Sequence, residues 1–221
     1  MKKLFTMVAM AFMAVCVNAQ TISWSKDDAC DKGAAKESYS NGGLVLTCTD
    51  TKNEKHQVEA NDAYFGSADN YVKYEYRFKT NGKSDSKNNL KLTVPSAGEL
   101  KIAVRTATSS DETRTLILTQ NETEIYNDVL KDSNSEKVSI NEKETKIFHY
   151  ITVNVEAGDI EITYPVNAIN FYAFIFTQAS NPETAIESVK ASVENNGKTY
   201  NVGGRVATKG LVIKNGKKYV K

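Results

Sequence analysis

Residues 71–79 read Tyr-Val-Lys-Tyr-Glu-Tyr-Arg-Phe-Lys and alternate with period two. Val72, Tyr74, Tyr76 and Phe78 share one face, and Lys73, Glu75, Arg77 and Lys79 share the other. A helix would smear these two sets around its axis, whereas a strand sends successive side chains to opposite faces of a sheet. The polar stretch from Thr80 to Asn89 ends the pattern as a loop. Leu90, Leu92 and Val94 mark a second strand and Leu100, Ile102 and Val104 a third. Pro95 and Gly98 turn the chain between them, and this spacing predicts a hairpin.

The same grammar continues along the chain. Strands are predicted from Arg114 to Gln120 and from Glu124 to Leu130, parted by a polar turn at Asn121. Lys146 to Val155 is apolar at Ile147, Ile151, Val153 and Val155, with His149 in the same register, which places that histidine in the core or at its rim. Ala157-Gly158-Asp159 turns into a strand from Asp159 to Tyr164. Ile169 to Phe176 is apolar on both faces, as a central strand requires. Gly43 to Thr49 and Gln57 to Tyr64 are weaker strand candidates. Eight to ten short antiparallel strands without an amphipathic helix define an all-β chain, an antiparallel, jelly-roll-like β-sandwich.

The ends of the chain carry different information. Residues 1–19 read as a secretory signal: Lys2 and Lys3, an apolar run from Leu4 to Val17, then Val17-Asn18-Ala19 as the cleavage site. Cys16 lies inside it, behind a valine too bulky for a lipoprotein signal. The two lysines leave with the signal, taking the formal net charge from +1 to −1. That balance argues against nucleic acid, which needs a concentrated basic footprint. No second apolar run is long enough to cross a membrane. Cys30 and Cys48 then remain as an even pair in an exported chain, and a disulfide is expected. Its loop of about 18 residues corresponds to roughly 3 kcal/mol in the chain-entropy account. These two with His56 and His149 make a poor basis for zinc. At Asn181-Pro182-Glu183-Thr184 the composition changes, giving a sandwich over 20–180, a linker at 181–184 and a basic module, rich in Asn and Gly, over 185–221.

That last module has a recognisable form. Ala185-Ile186-Glu187, Tyr200-Asn201-Val202-Gly203-Gly204-Arg205-Val206, Lys209-Gly210-Leu211-Val212-Ile213 and Asn215-Gly216-Lys217-Lys218 together resemble the C-terminal sorting tails of secreted Bacteroidetes proteins. The resemblance implies a small β module read by export machinery of the type IX kind, and a secreted or cell-surface location after passage through the periplasm. Val212 stands where many relatives have Tyr, and Gly203 where Ala or Ser is common. More loosely, Gly98-Glu99-Leu100-Lys101-Ile102-Ala103-Val104, Arg114 to Leu118, Val155 to Ile162 and Ile169-Asn170-Phe171-Tyr172 resemble sandwich modules attached to Bacteroidetes pectate lyases. That second likeness runs over 70–178 and implies a carbohydrate-binding-like fold with a polysaccharide or oligosaccharide partner.

Sugar binding needs a flat apolar platform for C–H faces and planar polar groups for hydroxyls. The chain has eleven tyrosines and one tryptophan. Alternation assigns Tyr74 and Tyr76 to the core. The ligand-binding candidates are Trp24 and Tyr39 in the irregular N-terminal region, Tyr64 before a polar loop, and Tyr71 on the outward face. Arg105 and Arg114 flank the loop Thr106–Asp111 and offer two planar donors, suited to the carboxylates of an acidic polysaccharide; a salt bridge to Asp111 or Glu112 is their competing use. No nucleophile elbow, carboxylate-pair motif or metal-ligand cluster appears, so no catalytic residue is assigned. Glu59, Asp62, Asp69, Asp111 and Glu112 read as solvated charges. Calcium is compatible with such modules, and Asp27, Asp28 and Asp31 carry oxygen ligands, but they lack a calcium-loop spacing, so no metal is assigned and no cofactor is predicted. The function expected is noncatalytic polysaccharide binding. A structural or protein-binding surface domain, and a small glycoside hydrolase or polysaccharide lyase, are the alternatives.

Overall fold

The computed structural model describes residues 19–48, 55–85 and 89–179, with the backbone of 200–201, 211–214 and 217–220. Most of the expected signal, including Cys16, the 181–184 linker and most of the expected sorting tail lie outside these residues. The chain divides into two compact units, Met1–Ala179 and Ser180–Lys221. In the first, the strands are β1 (Gln20–Ser23), β2 (Ser38–Asn41), β3 (Leu44–Cys48), β4 (Gln57–Ser67), β5 (Asn70–Lys79), β6 (Leu90–Val94) and β7 (Gly98–Thr106). There follow β8 (Thr115–Gln120), β9 (Thr123–Val129), β10 (Glu136–Ile140), β11 (Lys143–Phe148), β12 (Ile151–Val155), β13 (Gly158–Thr163) and β14 (Ile169–Gln178). The second unit contributes β15 (Tyr200–Asn201), β16 (Leu211–Lys214) and β17 (Lys217–Val220), which form an antiparallel sheet.

Two sheets make the sandwich. The first runs β10-β11-β4-β5-β14-β7-β12, with β1 also on β14, and the second runs β2-β3-β6-β13-β8-β9. From β5 onward the chain crosses between them, so that β5-β14-β7-β12 faces β6-β13-β8-β9. This is the eight-stranded jelly roll, with β1 to β4 and the β10–β11 hairpin added around it. Leu92, Leu118, Ile160 and Ile162 of one sheet and Leu100, Ile102, Phe171 and Phe174 of the other are fully buried and close the main core. Sheet-on-sheet burial of this kind drives the fold.

β5, β6, β7, β8, β9, β13 and β14 form where the alternation places them. The relation between β6 and β7 differs from expectation: they enter different sheets, so Pro95–Gly98 is an arch and not a hairpin turn. Gly98 allows it, since a Cβ there would stand 2.3 Å from the Thr177 carbonyl oxygen. The apolar stretch 146–155 is two strands, β11 and β12, broken at His149-Tyr150. Two of the tight hairpins, β8–β9 and β10–β11, turn on Asn121-Glu122 and Asn141-Glu142, all four with positive φ between 49° and 65°. That is the conformation a two-residue type I′ loop demands.

The disulfide is not formed. Cys30 bridges to Val58 of the first sheet, its sulfur accepting the Val58 N–H at 3.4 Å, while Cys48 is buried at the end of β3 in the second sheet. The two thiols belong to different sheets and stay separate, although both pack on the main core.

Candidate functional site

The first sheet has a second apolar face. Ile102 and Val104 point into the main core, so Ala103 between them points away, as Ala173 does beside Phe174. A bulge between Phe171 and Ala173 turns Tyr172 to this outer face as well. Ala63, Phe65 and Phe148 complete a buried cluster there, flanked by Tyr74 and Tyr150, whose hydroxyls lie 3.1 Å apart. The long β4–β5 hairpin reaches over this face. Its inner end pairs with β14 at Phe78–Phe171, and a bulge between Ala60 and Ala63 reorients the rest.

A cleft opens where this layer ends. β11 runs parallel to β4 but pairs with it only at Ile147–Tyr64 and Phe148–Phe65. Towards their earlier residues the strands part, and a cavity of about 530 Å³ lies between Asp62–Tyr64 on one side and Lys143–Lys146 on the other. Arg105, Ser109 and Phe148 also line it, with Asn141 of the hairpin turn. This volume falls in the range of small-molecule sites.

Arg105 is held on three sides. Its guanidinium lies 4.0 Å from the centre of the Phe148 ring, Nη2 donates to Asp132 at 2.7 Å, and its strand partner across the ladder is Asn170. Asp132 is 3% exposed and sits in a short 3-10 turn. A stacked, ion-paired guanidinium is fixed in orientation before a ligand arrives. Beneath it, Tyr172 donates to Asn61 at 2.6 Å; burial pushes its phenol pKa up against the opposing pull of Arg105 and Arg77. Glu59 is half-buried, and burial alone would raise its pKa. The bonds from Arg77 and the charge of Lys79 outweigh that and hold it low.

Two of the six expected ligand residues, Tyr64 and Arg105, meet in this cleft. Tyr71, 39% exposed, stands edge-on to Tyr64 with ring centres 5.7 Å apart, so it adjoins the cleft. The others do not. Trp24 and Tyr39 are 6% and 8% exposed, pack edge-on against each other, and both touch Phe78 in the main core. Trp24, just after β1, and Tyr39, in β2, both turn inward, and neither offers a platform. Arg114 is 6% exposed; it donates to the Ala168 carbonyl, to Asp111 at 2.7 Å and to Thr108 at 3.2 Å. It ties a loop to the sandwich and cannot form a ligand pair with Arg105. Phe148, Asp132, Asn141 and the β11 lysines were not foreseen. The Asn141 turn and the ring-rich break Phe148-His149-Tyr150 were their only signals.

Several of the other acids are occupied. Asp111 accepts from Thr113 and Arg114, Glu112 accepts the Ser133 N–H, and Asp28 caps Ser25 and pairs with Lys36. The two carboxylates of the cleft, Asp62 and Glu144, are largely exposed and each pairs with a lysine, Lys73 and Lys137. Neither has the apolar surroundings that set a general acid apart from its partner. His149 is 52% exposed, not a core residue; its Nδ1 lies 3.2 Å from the Gly66 carbonyl and its Nε2 3.7 Å from Glu136. Among the described residues no group of three or more His, Cys, Asp or Glu could hold a metal ion, and no helix is long and apolar enough to cross a membrane.

No protein-family profile matches the chain, and no curated protein does. Among solved structures, the catalytic unit of a thermostable GH87 alpha-1,3-glucanase from Streptomyces thermodiastaticus strain HF3-3 is similar over 62% of this chain and 26% of that one, with a TM-score of 0.33 and 14% identity. The chain thus spans about a quarter of that structure. A likeness of this extent assigns neither activity nor ligand.

Proposed function

We propose that this chain is exported and that its sandwich binds complex polysaccharide without turning it over, in the cleft between β4 and β11. The observation that carries the reading is the set of groups gathered there. Tyr64, with Tyr71 edge-on beside it, brings a ring, Arg105, fixed by its stack on the buried Phe148, a planar donor, and Asp62, Asn141 and Thr145 short polar groups. The signal at 1–19 and the sorting tail at 185–221 support delivery to the cell surface, where such a ligand is met. The first strand begins at Gln20, directly after the expected cleavage site, so removing the signal takes no described strand away.

A glycan array and affinity electrophoresis with the chain from Gln20 onward test the reading. Retardation by at least one neutral or acidic glycan, lost in Tyr64→Ala at unchanged melting temperature, is the expected result. Absence of binding across the array moves the reading to a protein partner. The parting of β4 and β11 favours that alternative next, because strand edges that leave a sheet are natural places for an added strand. For the tail, deletion of 185–221 is expected to retain the protein in the periplasm of a host with the cognate machinery; normal surface delivery rejects the sorting role.

A further inference from the structure

The binding surface does not end at Arg105. A second cavity, of about 160 Å³, also touches this side chain, and Arg105 and Phe148 line both. Its other walls come from Tyr126 and Asp128 of β9, Asn134 of the 3-10 turn, and Tyr150 before β12. The partition is rigid, because Arg105 is stacked on Phe148 and bonded to the nearly buried Asp132. On each side of it the chemistry repeats: a tyrosine ring, a carboxylate and a carboxamide, with Tyr64, Asp62 and Asn141 in the cleft and Tyr126, Asp128 and Asn134 beyond it. Asp62 and Asn141 on one side, and Asp128 and Asn134 on the other, are exposed. Both cavities therefore reach solvent, whereas a pocket for a chain end would close around it.

Resting on the glycan reading above, we infer that the two cavities are subsites of one groove, which takes the interior of a linear polysaccharide laid across Arg105, rather than a chain end or a single sugar. A repeating ligand matches a repeated set of groups, and each further ring contact adds affinity only when the ligand is long enough to reach it.

Isothermal titration with gluco-, xylo- and galacturono-oligosaccharides, from disaccharide to octasaccharide, reads this directly, with the parent polysaccharides as controls. Affinity is expected to rise with length and level off once both cavities are filled. Tyr126→Ala is expected to weaken the longest bound ligand by about tenfold and to leave trisaccharide binding within about twofold. Because Tyr126 also packs on the main core, the double change Asp128→Ala/Asn134→Ala, at two exposed positions, repeats the test without disturbing it. Affinity independent of length, or variants that weaken short and long ligands alike, overturns the two-subsite groove and leaves the glycan reading standing. No binding to any ladder or parent polymer removes the glycan reading, and the groove with it.

Discussion

The first sheet buries aromatic rings on both of its faces, by different means. On the inner face Phe78, Phe174 and Phe176 follow the strand period, Phe171 joins them across the β14 bulge, and they meet aliphatic side chains of the second sheet. On the outer face Phe65, Phe148 and Tyr172 come from strands that never form a continuous ladder, brought together by two bulges and a parallel contact of only two residue pairs. The inner cluster is closed and aliphatic-rich. The outer one keeps hydroxyls in use, with Tyr172 on Asn61 and Tyr74 beside Tyr150, and it opens onto the cleft. Regular pairing makes a core, and interrupted pairing leaves room for a ligand.

The largest test of this contrast is a pair of truncations. Phe174→Ala removes a fully buried ring stacked 5.1 Å from Phe171 and is expected to cost about 3–5 kcal/mol of unfolding free energy. Phe148→Ala removes a 7% exposed ring from the smaller outer cluster and is expected to cost about 3 kcal/mol, at the low end of that range, while releasing Arg105 and abolishing glycan binding. Denaturant titration measures both. Equal costs would mean that the outer cluster is as much a core as the inner one.

The two arginines sharpen the contrast further. Arg114→Ala strands the Asp111 carboxylate and the Ala168 carbonyl, and a loss of about 2–3 kcal/mol is expected. Arg105→Lys keeps a cation for Asp132 but gives up the planar stack on Phe148. Its expected cost is about 0.5–1 kcal/mol in stability, with a larger loss in binding. A stability loss matching that of Arg114→Ala would show Arg105 to be a structural tie.

The hairpin turns give a smaller and opposite effect. Glu122 and Glu142 both hold positive φ, which glycine adopts without strain. Replacing either with Gly is expected to stabilise its own hairpin by about 0.5–1 kcal/mol. Since β8–β9 belongs to the main sandwich, Glu122→Gly should raise the melting temperature. β11 is bound to β4 at two positions only, so Glu142→Gly should appear mainly as slower hydrogen exchange in β10–β11. Identical responses would deny that the cleft wall is locally independent.

The smallest effect is acid sensitivity at the Arg114 loop. The Thr113 hydroxyl and the Arg114 guanidinium bring Asp111 from an ordinary 3.8 down to about 2. A pKa lower in the folded than in the unfolded state means that the stabilisation is complete above the unfolded value and fades as pH falls through the folded one. Asp111→Asn is therefore expected to melt below the parent at about pH 5, with the gap closing towards about pH 2. A gap that stays constant would show that charge at this position contributes nothing to stability.

Period-two alternation was enough, without coordinates, to establish an all-β sandwich, to place Phe78, Leu92, Leu100 and Ile102 inside it, and to mark β14 as central, because burial on one face or both leaves its imprint along each strand. It could not tell whether Pro95–Gly98 turned back or crossed over, since both arrangements bury the same residues. Trp24 lies just past β1 and Tyr39 in β2, two strands of four residues, too short to carry a legible period showing that both rings go inward. Cys30 and Cys48 are close in sequence and held by different sheets, and Arg114 is committed by a carbonyl 54 positions along the chain. Phe148 and Arg105 meet only because β10–β11 folds back on β4. Alternation records which side chains share a face, whereas strand neighbours, and what covers an outer face, follow from long-range pairing that only the tertiary structure decides.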